Sequence, residues 1–314
     1  MKIVYMGTPD YAVLPLEALL NGPYEVKCVL TQPDRPKGRG YEVCMSPVKK
    51  TAVRHGVPVL QPVKMKDPDL IRQLESFDAD YFIVAAYGRI LPTEILDIPA
   101  KGCINIHASL LPAYRGAAPI QWAILDGQKE SGITTMKMDA GVDTGDILRQ
   151  YRIPIREDET GGSLFDRLRE LGAKALLDTL TGLEKGEIHP VKQGEPSTGY
   201  AKMLTREMGN IDWDRNPEEI ERSVRALDPW PGCYTFLNGR QLKILRSHVV
   251  SGSGEEKEPG IILKAQENDL WVKTGFGGIL SIDAIQPEGK KKMETASFLR
   301  GAHIVSGDYL RRDK

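Results

Sequence analysis

Apolar and polar positions in the first half of the chain alternate between two periods. Short apolar runs at residues 2–6, 26–30, 57–60, 80–86, 103–107, 133–138 and 147–155 read as strands. Segments with a helical period separate several of them: Ala12 to Leu20, 47–56, 68–77, a short turn around Glu94 to Leu96, Pro119 to Leu125 and Leu164 to Leu183. Ser46-Pro47 has the form of an N-cap followed by proline at the first helical position, and Asp67-Pro68 repeats it. The run Asp80-Tyr81-Phe82-Ile83-Val84-Ala85-Ala86 is apolar, as a central parallel strand is. Strand and helix alternate repeatedly with short turns. This predicts an α/β fold, a Rossmann-like, doubly wound, mostly parallel sheet covered on both faces. One long polar stretch, Thr31 to Gly40, interrupts the pattern as a Pro- and Gly-rich loop.

The pattern changes after Gly186. Residues 192–199, with Gly194, Pro196, Ser197 and Gly199, read as a linker. Asn216-Pro217-Glu218-Glu219 starts a helix with a cap, proline at N1 and glutamate at N3. Beyond Asp228-Pro229-Trp230-Pro231-Gly232 come short strands at Tyr234 to Leu237, Leu242 to Leu245, Ile261 to Leu263, Leu270 to Lys273 and Ile279 to Ile285. Asn238-Gly239 is a hairpin turn between the first two. Several short strands in about a hundred residues suggest a small β-barrel of the oligonucleotide-binding type. The expected organisation is a first domain over residues 1–188, a linker over 189–206 and a barrel domain over 207–314.

Composition narrows the function only by exclusion. The formal charge is -1 over 314 residues, and the segment from residue 204 onward is also balanced. Any contact with a polyanion must therefore use local patches. Cys28, Cys44, Cys103 and Cys233 form no Cys-x-x-Cys pair. Reduced, buried thiols in a cytoplasmic protein are expected, without zinc or a disulfide framework. The first residues lack the apolar run of a signal peptide, and no run is long enough to span a bilayer. Only Gly7 stands at the first turn, so neither the dinucleotide fingerprint nor a Walker A loop is present.

The densest candidate chemistry lies at 103–119. Asn105 and His107 alternate with Ile104 and Ile106, so both point to one side of the sheet. Two positions along a strand span roughly 6–7 Å, within reach of one small group. Polar residues at a strand end followed by a loop occupy the place where open α/β sheets bind ligands. The competing reading is a pair of satisfied polar groups. A second constellation is Asp139, Asp143 and Asp146 in a Gly-rich loop. Its spacing does not fit a calcium loop, and Asp139 and Asp146 are expected to cap turns. If the strands on either side are parallel, Asp143 shares a crevice with Asn105 and His107. Asn, His and Asp without a Ser or Cys nucleophile suit proton handling and oxyanion stabilisation.

Asn105-x-His107-x-Ser109-Leu110-Leu111-Pro112, continued by Tyr114-Arg115-Gly116-Ala117-Ala118-Pro119-Ile120, resembles the signature of the folate-dependent formyltransferases. Asp143-Thr144-Gly145-Asp146 matches their second motif. Gly7-Thr8-Pro9-Asp10, the Thr31-Gln32-Pro33-Asp34-Arg35-Pro36 loop and Pro229-Trp230-Pro231-Gly232 resemble the branch whose acceptor is a tRNA. The resemblance covers nearly the whole chain. It implies formyl transfer from 10-formyltetrahydrofolate to the methionine amino group on initiator methionyl-tRNA, with Asn105, His107 and Asp143 catalytic. It also implies a folate pocket lined by Ser109, Leu110, Leu111 and Pro112, and a 31–47 loop inserted toward the tRNA acceptor end with Arg39 as a contact. Arg35 and Lys37 are expected to assist Arg39, and Lys290, Lys291 and Lys292 to touch the tRNA backbone; a solvated turn is the alternative for the lysine run. Tyr41-Glu42 departs from the basic residues expected after Gly40. A monomer needing no metal and no membrane is expected. The rivals are an amino-sugar formyltransferase and a tRNA-binding module without turnover.

Overall fold

The buried runs of the first half become strands of one sheet, and the order of those strands decides where the polar residues meet. The computed structural model describes residues 1–37, 42–252 and 257–312. Two units are distinguished within it. The first comprises Met1–Pro119, Glu130–Pro154 and Phe165–Ala201; the second comprises Ile120–Lys129, Ile155–Leu164 and Lys202–Lys314.

In the first unit β1 (Lys2–Gly7) leads through a 3-10 turn at Asp10–Ala12 into α1 (Val13–Leu20) and β2 (Glu25–Leu30). Next come β3 (Arg35–Lys37), β4 (Glu42–Cys44), α2 (Pro47–Arg54), β5 (Val59–Leu60), α3 (Pro68–Glu75), β6 (Tyr81–Ala85), α4 (Thr93–Leu96) and β7 (Cys103–His107). Ser46 accepts from Lys49 N and Asp67 from Asp69 N, so each cap predicted before a Pro start is made. After α5 (Pro119–Leu125) the sheet is completed by β8 (Glu130–Lys137) and β9 (Ile147–Pro154), and α6 (Gly161–Glu184) follows. The strand order is β5-β2-β1-β6-β7-β8-β9.

Strands β5, β2, β1, β6 and β7 are parallel neighbours. Both faces are covered, as the apolar run of β6 requires. Val4, Met6, Phe82, Val84 and Cys103 join one core cluster with Leu74, Tyr87, Ile95 and Leu96. Ile3, Tyr5 and Ile83 alternate with them and are equally buried. Burial of each large side chain contributes about 1.5–3 kcal/mol before the entropy of ordering is counted.

Two expectations need correction. Strands β8 and β9 are antiparallel to their neighbours, with Ile104 opposite Lys137 and His107 opposite Thr134. The end of β8 therefore lies beside the start of β7, not beside its end, and the parallel-sheet route to a shared crevice fails. The 138–146 loop comes back along β7 instead. The second correction concerns the 31–40 loop. It is not wholly irregular, because β3 and β4 pair antiparallel with Arg35 opposite Cys44.

In the second unit α7 (Pro217–Ala226) is capped by Asn216, which accepts from Glu219 N. The strands are β10 (Cys233–Leu237), β11 (Arg240–Val249), β12 (Ile262–Gln266), β13 (Asp269–Lys273), β14 (Ile279–Pro287), β15 (Met293–Glu294) and, after α8 (Thr295–Gly301), β16 (Leu310–Arg311). They form a curled antiparallel sheet in the order β12-β13-β14-β11-β10-β16, with β15 on β14. An isolated bridge, Ile261 to Tyr309, links residues next to its two outer strands. This is the barrel-type sheet expected from the short strands. Among the described residues no helix is long and apolar enough to cross a membrane.

Candidate active site

Strand β7 is buried on both sides, and this fixes the direction of its polar residues. Ile104 and Ile106 are 2 % exposed on one face. Asn105 is half-buried and His107 buried on the other, the face shared with Cys103. Burial pushes the Cys103 thiol up to about 12, so it stays protonated and supplies no thiolate.

The ring of His107 is oriented by a backbone group. Its Nε2 lies 2.9 Å from the carbonyl of Tyr114. A carbonyl only accepts, so Nε2 carries the proton in this contact and Nδ1 is the nitrogen left for chemistry. Nδ1 faces Asp143 Oδ2 at 3.6 Å, within ion-pair range but beyond a direct hydrogen bond. Tyr114 adopts φ 58, and its N–H donates to Thr198 Oγ1 at 2.7 Å.

Asp143 reaches the same place from its loop. Oδ2 accepts from Gly116 N at 2.9 Å, and Asn105 Nδ2 approaches Oδ1 at 3.4 Å. The loop has a fixed form. Asp139 Oδ1 accepts from Gly141 N and Thr144 Oγ1, the turn-capping role expected of it. Gly145 permits a close crossing, since a Cβ there would sit 1.8 Å from the Lys137 carbonyl. Asn105, His107 and Asp143 are thus brought together in the first unit. No metal is needed to explain the convergence, and among the described residues no group of three or more His, Cys, Asp or Glu could hold one.

The 109–112 segment is held from beneath. Thr134 Oγ1 donates to Ser109 O at 2.7 Å and accepts from Leu111 N at 3.0 Å, while Gln150 Nε2 donates to Leu111 O at 2.7 Å. Ser109 and Leu111 are buried, and the Ser109 hydroxyl donates to Ala113 O. Leu110 and Pro112 are half-buried. They, rather than Ser109 or Leu111, present side-chain surface from this segment. A groove of about 320 Å³ lies at the other end of β7, beside its start, with walls from Leu96, Asp97, Gly102, Cys103, Met138 and Asp139. Its size is at the low end for small-molecule sites.

The remaining candidates are dispersed. Arg35 is exposed and donates to Gln32 Oε1 at 3.0 Å. Arg39 and Tyr41 lie outside the described residues, as do the side chains of Lys37 and Glu42. Lys290, Lys291 and Lys292 are exposed on the connection between β14 and β15 of the second unit. The pattern of side chains did not reveal the backbone partners at Tyr114 and Gly116. Thr134 and Gln150 gave a faint signal, as polar residues inside strands. Gln193 and Thr198 gave none, because polar residues in a Gly- and Pro-rich stretch read as solvated chain.

Two family matches cover most of the sequence: formyl transferase over residues 1–180, and the formyl transferase C-terminal domain over residues 203–303. The chain is 48% identical over 309 residues to the methionyl-tRNA formyltransferase of Agathobacter rectalis, covering 98% of this chain and 99% of the relative. It is 48% identical over 312 residues to the methionyl-tRNA formyltransferase of Caldanaerobacter subterraneus subsp. tengcongensis, covering 99% and 100%. In fold it resembles the N-formyltransferase from Helicobacter canadensis, solved in complex with folinic acid and dTDP-3-aminofucose. That TM-score is 0.68 at 21% identity, with 91% of this chain and 99% of the other covered. The chain belongs to the formyl transferase family and carries both its N-terminal and its C-terminal domain.

Proposed function

We propose that the chain transfers the formyl group of 10-formyltetrahydrofolate to the α-amino group of methionine on initiator methionyl-tRNA, for translation initiation. Methionyl-tRNA formyltransferases match at nearly half of all positions over the full length, whereas the N-formyltransferase solved with dTDP-3-aminofucose shares 21%. The observation that carries the chemistry is the meeting of Asn105, His107 and Asp143 at 3.4 and 3.6 Å.

Each of the three has a distinct task. A free α-amine has a reference pKa near 7.7–8.0, and it attacks through its lone pair when neutral. Addition to the formyl carbon puts negative charge on the formyl oxygen and positive charge on nitrogen. One N–H of Asn105 turns toward Asp143, and the other donates to that oxygen. His107 holds its Nε2 proton against Tyr114 O, so Nδ1 takes the proton from the amine, directly or through one water. The imidazolium so formed lies beside the Asp143 carboxylate; as the tetrahedral adduct collapses the bond from the formyl carbon to N10 of the folate breaks, N10 takes up that proton and tetrahydrofolate leaves. Gly116 N keeps that carboxylate in place.

The folate donor lies against Leu110 and Pro112, and Ser109 and Leu111 fix the backbone behind them. Arg35, Lys37 and Arg39 serve the tRNA acceptor end, and Lys290, Lys291 and Lys292 its phosphates. The chain acts as a monomer in the cytoplasm, with 1–188 as catalytic domain, 189–206 as linker and 207–314 as an OB-like β-barrel domain. Incubating the purified chain with 10-formyltetrahydrofolate and, separately, initiator methionyl-tRNA, elongator methionyl-tRNA and a nucleotide-linked amino sugar tests the reading. Formylation of the initiator form is expected. Turnover of the amino sugar alone would defeat it.

A further inference from the structure

The stretch that reads as a linker holds the site together. Residues 191–200 are exposed except for Gln193 and Thr198, which are half-buried. Both side chains are engaged by the loops that carry the site. Gln193 Nε2 donates to Asp143 O at 2.9 Å and to Gly145 O at 2.6 Å. Its Oε1 accepts from Arg115 Nε at 3.1 Å and Nη2 at 2.8 Å. One amide therefore ties the Asp143 loop to the 113–118 loop. The backbone continues the attachment. Ala201 O accepts from Ala117 N and Ala118 N, and Ala201 N donates to Arg115 O.

We infer that Gln193 is a positioning residue for formyl transfer: its amide holds the backbone of Asp143 at the distance from which the carboxylate reaches Asn105 and His107. The inference rests on the catalytic assignment of Asp143 made above. Asp143 sits at φ 53, a conformation uncommon for a non-glycine residue and one that aspartate adopts more readily than most. Its carboxylate is held by Gly116 N and its carbonyl by Gln193, so the residue is fixed at both ends. Glutamine suits the place because a single planar group supplies two donors for the carbonyls and an acceptor for the guanidinium. Released from Gln193, the loop keeps its own turn through Asp139 but loses its register against Arg115.

Gln193→Met keeps the length of the side chain and removes both functions. Gln193→Glu keeps an acceptor for Arg115 but sets a carboxylate against two carbonyls. Each is measured by steady-state formylation of initiator methionyl-tRNA and by thermal melting, alone and combined with Asp143→Asn. A misplacement of about 1 Å costs on the order of a hundredfold in rate, so kcat is expected to fall about ten- to a hundredfold in both variants. KM for the folate donor should stay within about twofold, since the loss is confined to the transition state. In the Asp143→Asn background neither change should lower kcat further. Wild-type kcat in Gln193→Met or in Gln193→Glu, with Asp143→Asn strongly impaired, would overturn the tether alone. The same fold-loss with and without Asp143→Asn would also overturn it, because Gln193 would then act independently. Wild-type turnover in Asp143→Asn would remove the catalytic assignment and the tether with it.

Discussion

Gly116→Ala should damage the first unit twice, once in stability and once in rate. Gly116 has φ +125, where an L side chain is strained, and a Cβ would lie 2.6 Å from Ala201 O. It would also meet the Tyr200 ring at 2.9 Å, but that ring is exposed and free to turn aside. The carbonyl is not free, because it accepts from Ala117 N at 2.8 Å and Ala118 N at 3.2 Å. Restoring an ordinary contact moves it by at least about 0.8 Å and loosens both hydrogen bonds. Backbone strain costs about 1–3 kcal/mol, and each loosened bond up to about 0.5–1.5 kcal/mol. The expected loss is about 2–6 kcal/mol, or roughly 4–24 °C in melting temperature for a unit of this size. Because Gly116 N also holds the Asp143 carboxylate, kcat should fall about ten- to a hundredfold with a smaller change in KM. Calorimetry and steady-state formylation read the two effects. Gly56→Ala is the control: its φ is also positive, at +70, but the new Cβ meets nothing within 4 Å. It should cost about 1 kcal/mol and leave kcat unchanged. A Gly116→Ala protein that melts and turns over like wild type would refute the reasoning.

Other perturbations separate the remaining parts. Asn105→Ala should lower kcat about a hundred- to thousandfold, and His107→Ala about a hundred- to ten-thousandfold, with little change in folate affinity; near-normal turnover in a folded variant removes that role. Replacing Lys290, Lys291 and Lys292 by alanine should flatten the salt dependence of tRNA binding by roughly 0.7–0.9 in slope per lost phosphate contact, and an unchanged slope would assign the run to a solvated turn. Asn216→Ala should destabilise the second unit by about 1 kcal/mol through loss of the helix cap, measured by denaturant unfolding. Burial raises the Asp228 carboxyl above its ordinary value, with Lys292 opposing. Folding therefore penalises the charged form, so Asp228→Asn should stabilise at neutral pH and the gain should shrink as pH falls through the raised value toward the unfolded one. A gain that grows on acidification would contradict this sign.

The strands and caps were legible because period and capping chemistry are local. The common side of Asn105 and His107 followed from alternation alone, since Ile104 and Ile106 leave β7 no other orientation. The antiparallel turn at β8 was not legible. A helical pattern at 119–125 between two strands imitates a crossover, but residues 120–129 belong to the second unit and do not return the chain in parallel. Asp143 thus reaches His107 by a different path from the one that suggested it. The groups that orient the site, the Tyr114 carbonyl, Gly116 N and the Ala201 carbonyl, are backbone atoms. No pattern of side chains encodes them.

The composition of the second unit sets an order on synthesis. Two of its segments, Ile120–Lys129 and Ile155–Leu164, leave the ribosome well before the remainder, Lys202–Lys314. Their partners come late: Lys202 O for Trp122 Nε1, Arg222 Nε for Leu125 O, Arg225 Nη1 for Glu159 O and Asp228 O for Gly162 N. A nascent chain of about two hundred residues therefore carries two pieces of a module that does not yet exist. A fragment ended at Ala201 keeps that condition permanently, with those four polar groups deprived of their mates. Removing the C-terminal third takes away more than an appended module, because it strands helix ends and turns lodged earlier in the polypeptide.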